Sequence, residues 1–314
     1  MSNPSVLGYA LINQEATWAA TTTATKDAGL LIDSVVPAFE REIIQSASIS
    51  AIELQKLSSG MVGAKLTMSG AIQHGRLFDY ILGEATHALT STDTKHTFAV
   101  DNAPKSMTAE IGINATTDIV QDLDGLLVES AEISVGLNSN LSLTSSWIGR
   151  RVTDSASASS STVSTLPIFP HPLCNVEING VAATEVQNAS ITITKTIGRV
   201  GGVSSVEYQQ GHATSCKFAF SATVGFSDKT YHDLMMGGTT PASTPTAFDF
   251  QISADNGVTL GSGRREFLIA LENCVADGWD QPIEVEGIIF LNISGEGLFK
   301  EAYSVDNIAE ANWS

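Results

Sequence analysis

The chain has few of the groups that chemistry and nucleic-acid grip require. Its 314 residues hold only three cysteines, at 174, 216 and 274, far apart and odd in number. No Cys-x-x-Cys spacing occurs, so neither a disulfide framework nor a zinc site is implied, and buried free thiols are the expected fate. Aromatic residues make up 7% and charged residues 16%, a light-cored composition found in turn-rich all-β structural proteins. Basic residues number 16 against 34 acidic ones, for a net charge of −18. Both halves share the deficit, which argues against binding to phosphates, because such binding needs clustered Lys and Arg. No apolar run reaches the ~18 residues of a membrane span, and the N-terminus lacks the basic and apolar regions of a signal peptide. A soluble chain made in the cytoplasm is the expectation.

Catalytic and metal-binding patterns are missing too. The six histidines, at 74, 87, 96, 171, 212 and 232, show no close pairing with one another, whereas histidine-based metal sites usually show at least one close ligand pair. No Gly-x-Ser-x-Gly, P-loop or dinucleotide fingerprint is present. Carboxylates two apart, Asp122 with Asp124 and Glu284 with Glu286, could be read as glycosidase acids. On strands, however, they share a solvated face. The chain is therefore expected to be no enzyme, with no catalytic, cofactor-binding or metal residue. Five Asn-x-Ser/Thr sequons, at 114, 140, 188, 292 and 312, barely exceed the roughly three expected by chance.

What is present is an echo. Gly63-Ala-Lys-Leu-Thr-Met-Ser-Gly70 is answered by Ser215-Cys-Lys-Phe-Ala-Phe-Ser-Ala222. Each phrase precedes a short apolar helix candidate ending in glycine, Leu77–Gly83 and Tyr231–Gly237, and Phe98 is answered by Phe250. The matches come in one order at nearly one spacing, which predicts a duplicated domain.

Along the chain, residues 1–36 read as an N-terminal arm with a Thr-rich stretch at 19–25, either mobile or docked on a neighbour. A first domain spans 37–153. Its strand candidates are Ala47–Leu57, Ala64–Ile72, Thr97–Val100, Met107–Ile113, Leu126–Leu137 and Leu141–Ile148, and in Ala64–Ile72 Leu66 and Met68 alternate with Lys65, Thr67 and Ser69 at period two. One helix, Arg76–Ala85, interrupts them. Residues 154–165 are Ser-rich and form a linker or loop. A second domain, 166–314, repeats the texture, with a hairpin turn at Ile178-Asn-Gly-Val181 and a helix at Lys229–Met236.

The Thr-rich arm, the strand carrying Lys65 and Ser69, the helix Leu77–Gly83 with its following loop, and the closing strands from Leu126 to Ile148 resemble the tail tube protein (major tail protein) family of long-tailed viruses, the non-contractile siphovirus type in particular. The resemblance covers about residues 5–305. It implies a mainly β fold: two tandem tail-tube-like sandwich or half-barrel domains, each with one short flanking helix, whose inner strands join a ring-spanning barrel. It implies a virion protein, in the host cytoplasm during assembly, that stacks as rings into the conduit for DNA ejection. Implied partners are the chain itself, the tape-measure, tail terminator and baseplate proteins, and viral DNA passing the lumen without specific binding. If each half supplies one sector, a homotrimeric pseudo-hexameric ring is expected, with a hexamer as the alternative. An acidic wall would let the genome slide, and Glu129, Glu132, Glu284 and Glu286 are candidate wet-face positions. Rival readings are a tube-ring protein of a secretion or injection system and a carbohydrate-binding β-sandwich.

Overall fold

The computed structural model describes residues 7–20, 22–46, 56–90, 93–101, 103, 105–114, 119–155, 164, 166–225, 230–236, 246–260, 263–280 and 289–308. It is mainly β, a curled half-barrel sheet with two short helices. The first half contains β1 (Leu7–Gln14), β2 (Lys26–Asp27), β3 (Leu30–Ser46), β4 (Lys56–Ile72), α1 (Arg76–Leu82), β5 (Gly83–Thr90), β6 (Asp93–Val100), β7 (Met107–Asn114), β8 (Ile119–Gly136), β9 (Ser142–Gly149) and β10 (Arg151–Ser155). The second half contains β11 (Cys174–Ile178), β12 (Val181–Ala182), β13 (Val186–Gly201), β14 (Tyr208–Gly225), α2 (Thr230–Met236), β15 (Phe248–Leu260), β16 (Gly263–Asp280) and β17 (Phe290–Asp306).

Every pairing between these strands is antiparallel, and the two halves run in the same order. In the first, β2 pairs β1, β1 pairs β7, β7 pairs β8, β8 pairs β9 and β10, β9 pairs β4, and β4 pairs β3. In the second, β12 pairs β11, β11 pairs β15, β15 pairs β16, β16 pairs β17, β17 pairs β14, and β14 pairs β13. The uninterrupted β17 does the work that β9 and β10 share. A seven-residue helix follows the long hairpin in each half.

Sequence spacing placed both helices well. Leu77, Phe78, Tyr80, Ile81 and Leu82 are buried, and Gly83 ends α1 in the left-handed region at φ 113°, its N–H donating to the Asp79 carbonyl. That backbone angle strongly favours glycine. The Asn179-Gly180 turn between β11 and β12 also has both residues at positive φ, as a two-residue hairpin requires.

Three expectations need correction. Residues 7–14 are not an arm: they form β1, hydrogen-bonded along β7 and packed into the core through Leu11 and Ile12. The boundary at 36/37 falls inside β3, a continuous strand from Leu30. Phe98 and Phe250 do not lie on matching strands, since Phe98 is in β6 while β15, which carries Phe250, corresponds by pairing to β7. The cause is the β5–β6 hairpin, which stands only in the first half and pairs onto β17. The strand expected at 47–57 and the linker at 154–165 lie mostly outside the described residues.

One core runs through both halves. Trp147, Phe78, Phe98, Phe169, Phe250 and Phe267 are its largest buried apolar side chains. Rings from both halves touch: Phe78 of α1 sits 4.9 Å from Phe267 of β16. The three cysteines are free, and burial pushes the Cys274 thiol up to about 12, so an inert packed thiol is the outcome.

Candidate assembly surface

β8 is the strand on which the two halves meet. Its first part lies between β7 and β10, and its second part lies between β9 and β13. Gly125, at φ 70°, sits at the change of partners; a Cβ there would press on Ala19 and Trp18. Beyond this bend the ladder runs from Ser130–Thr194 to Gly136–Asn188. Ile133, Ala131, Ile191 and Ile193 bury their side chains along it. The sheet is therefore continuous across the chain as β3-β4-β9-β8-β13-β14-β17-β16.

The far end of the β13–β14 hairpin reaches over the first half. Arg199 donates to Glu40 at 3.1 Å and to the Gly149 carbonyl at 3.1 Å. Arg150 bonds Glu207 at 2.8 Å, and the backbone of Val62 bridges Glu207. Lys195, only 3% exposed, points its Nζ at the Leu82 carbonyl at the end of α1, where burial lowers its pKa. An ammonium at the helix C-terminus meets the negative end of the dipole.

Two strand edges end this sheet among the described residues. β3 pairs only with β4, and the part of β16 beyond Cys274 pairs only with β17. From Ala38 to Gln45 every residue of β3 except Glu40 is exposed, on both faces. Phe39, Ile43 and Ile44 there, with Leu57 opposite on β4, are 53 to 65% exposed. An unpaired, apolar edge of this length is a template for pairing with another chain. The sequence reading missed this patch, although Val35-Val36 and Ile43-Ile44 signalled it: adjacent apolar residues on a strand point to opposite faces, so one of each pair must find a partner outside a single covered sheet.

The expected site residues were none, and the polar clusters present act as ties between strands. The register of β5 and β6 sets His87 opposite His96, a pair that sequence spacing did not reveal. His96 contacts His87 at 2.6 Å and Asp306 at 2.9 Å, fastening β17 to β6. Among the described residues no group of three or more His, Cys, Asp or Glu is placed to hold a metal. Glu129 and Glu132 are exposed on β8, as expected of wet-face carboxylates; Glu284 and Glu286 lie outside the described residues. No helix is long and apolar enough to cross a membrane among the described residues.

At the start of α1, Asp27 accepts from His74 at 2.6 Å and from Arg76 at 2.6 Å. Burial alone would raise the Asp27 carboxyl, but the hydrogen bonds and charge of His74 and Arg76 outweigh it and hold it well below the carboxylate range. His74 is enclosed, and burial lowers its pKa. Both groups have folded values below their unfolded ones, so the stability they contribute is present at neutral pH and lost as pH falls. The loss begins below about 6.5 for His74 and below about 4 for Asp27. Urea melts are expected to show stability falling from pH 7.5 to 5.5 and further toward 3.5, with Asp27→Asn flattening the lower limb. A wild-type curve level from pH 7.5 to 4 would contradict this.

The chain is thus a β-rich subunit whose antiparallel sheet, among the described residues, ends in an apolar open edge on one side and a second open edge on the other. The phage tail tube protein family model matches residues 3–297. The chain belongs to that family, which makes it a structural component of the virion tail. No curated protein matches it.

Proposed function

We propose that the chain is the repeating unit of a tail tube in which three copies close a ring and rings stack into the conduit for the viral genome. The observation that carries this reading is the repeated strand order, with the second half seated on the first through β13 and β8. Two halves related in this way arise by domain duplication, and each fills one of six sectors. A head-to-tail contact between unlike surfaces generates a ring when its rotation closes, and a rotation near 60° per half closes with three chains. The net charge of −18 suits a wall along which DNA slides without the counterion release that binding would bring. The tape-measure, terminator and baseplate proteins are the expected neighbours of such a tube, and the non-contractile tail is the expected setting.

Electron microscopy of the purified chain tests this. Stacked rings with a central hole and threefold symmetry are expected. Sixfold averages from six chains per ring would overturn the trimer, and a chain that stays monomeric at high concentration would overturn the ring.

A further inference from the structure

We infer that the seam between subunits copies the seam inside the chain: the outer edge of β3 pairs antiparallel with the outer edge of β16 beyond Cys274 in a second copy. This rests on the ring reading above and adds which edges meet, and in what register.

The register follows from pairings within the chain. Lys65 of β4 and Lys217 of β14 hold corresponding places in the two hairpins. Thr67 pairs with Val36 and Ala219 pairs with Thr192, so Val36 occupies the place of Thr192. On the closing strands, Leu66 pairs with Trp147 and Phe218 pairs with Gly297, which matches β9 to the first part of β17. Thr144 then pairs with Glu132 where Ser294 pairs with Gly278, so Gly278 occupies the place of Glu132. Inside the chain Thr192 pairs with Glu132. Across the seam Val36 therefore pairs with Gly278 of the second copy, and Val35 with its Trp279.

Two further observations fit this occupant. Lys195, buried against the end of α1, corresponds through Cys216 and Ala64 to Phe39, which is 53% exposed. Arg199, which clasps the first half, corresponds through Gly211 and Ser59 to the exposed Ile43. The same places that are covered within the chain are bare and apolar where only a neighbour could cover them. Moreover α1 is wholly buried, whereas Tyr231 to Leu234 of α2 are half-buried, leaving room at α2 for Phe39 of the second copy.

Paired cysteines test the register. Val36→Cys with Gly278→Cys, and separately Val35→Cys with Trp279→Cys, sample both rung types of an antiparallel ladder, of which the closer, non-hydrogen-bonded one suits a disulfide. Under oxidation at least one pair is expected to give reducible covalent dimers and trimers, absent from each single variant. In the wild type, amides of residues 34–36 and 276–279 are expected to exchange at least tenfold more slowly in rings than in monomers. Rings that form with no link in either pair and unchanged exchange would overturn the seam while leaving the ring intact. A wild-type chain that forms no rings would instead count against the ring reading itself.

Discussion

Replacing Ile43 and Ile44 together with aspartate is expected to leave the monomer folded and to eliminate rings. Both side chains are more than half exposed in the chain, so their loss removes little from the core, and circular dichroism and the urea midpoint should stay within experimental error of wild type. In an assembled ring the same residues would be covered by a neighbour. Burying an isoleucine contributes about 1.5–3 kcal/mol, and putting a carboxylate there without a partner reverses the sign at each contact. The chain already carries −18, so two added charges also strengthen repulsion between copies. Since every chain supplies the patch once, a closed trimer suffers the penalty three times. Sedimentation velocity and electron microscopy should find only monomer at concentrations where wild type forms rings. Rings of normal abundance from a folded double variant would show that the β3–β4 tip is no interface.

Local pattern carried much of the fold. Alternation marked β4 and β13, because each has one face on a core and one in water over the alternating stretch, and period two survives wherever that holds. Both helices were visible because an apolar stripe ends at a glycine, and Gly83 does adopt the angle that stops a helix. β1 was read as an arm because the run from Leu7 to Ile12 is too short and too rich in small residues to announce burial, and its partner β7 lies about a hundred residues away. Pairing at that distance is not encoded locally. The correspondence of Lys65 with Lys217 agrees with the pairings, while that of Phe98 with Phe250 does not, because the β5–β6 hairpin that carries Phe98 stands only in the first half. The open edge left only a trace in the sequence, the adjacent apolar residues Val35-Val36 and Ile43-Ile44. It became visible only when each strand's partners were known, since an edge is defined by what is missing beside it.

Glu15→Ala is expected to destabilise the monomer by about 4 kcal/mol, a large share of the roughly 5–15 kcal/mol that holds a domain together. Glu15 is 4% exposed. Its Oε1 accepts from the Gly125 N–H at 2.7 Å and from Thr108 Oγ1 at 2.9 Å, and its Oε2 accepts from the Ala19 N–H at 2.7 Å and Ser106 Oγ at 2.6 Å. Four donors on three separate segments thus converge on one carboxylate. Truncation leaves the Gly125 and Ala19 N–H groups without this acceptor, and buried donors stripped of their acceptor cost about 1–3 kcal/mol each. Gly125 is also where β8 changes partners, and its carbonyl accepts the Trp18 indole N–H at 3.0 Å. Loosening that bend would therefore free the Trp18 segment and the start of the inter-half ladder together. Glu15→Gln retains one acceptor oxygen but turns an NH₂ toward two donors, so an intermediate loss is expected. Urea melts of the three proteins give the ranking, and amide exchange at Ala19 and Gly125 reports whether the damage begins there. An alanine variant within 1 kcal/mol of wild type would mean that water replaces the carboxylate at no cost, and that the bend is held by β7 and β10 alone.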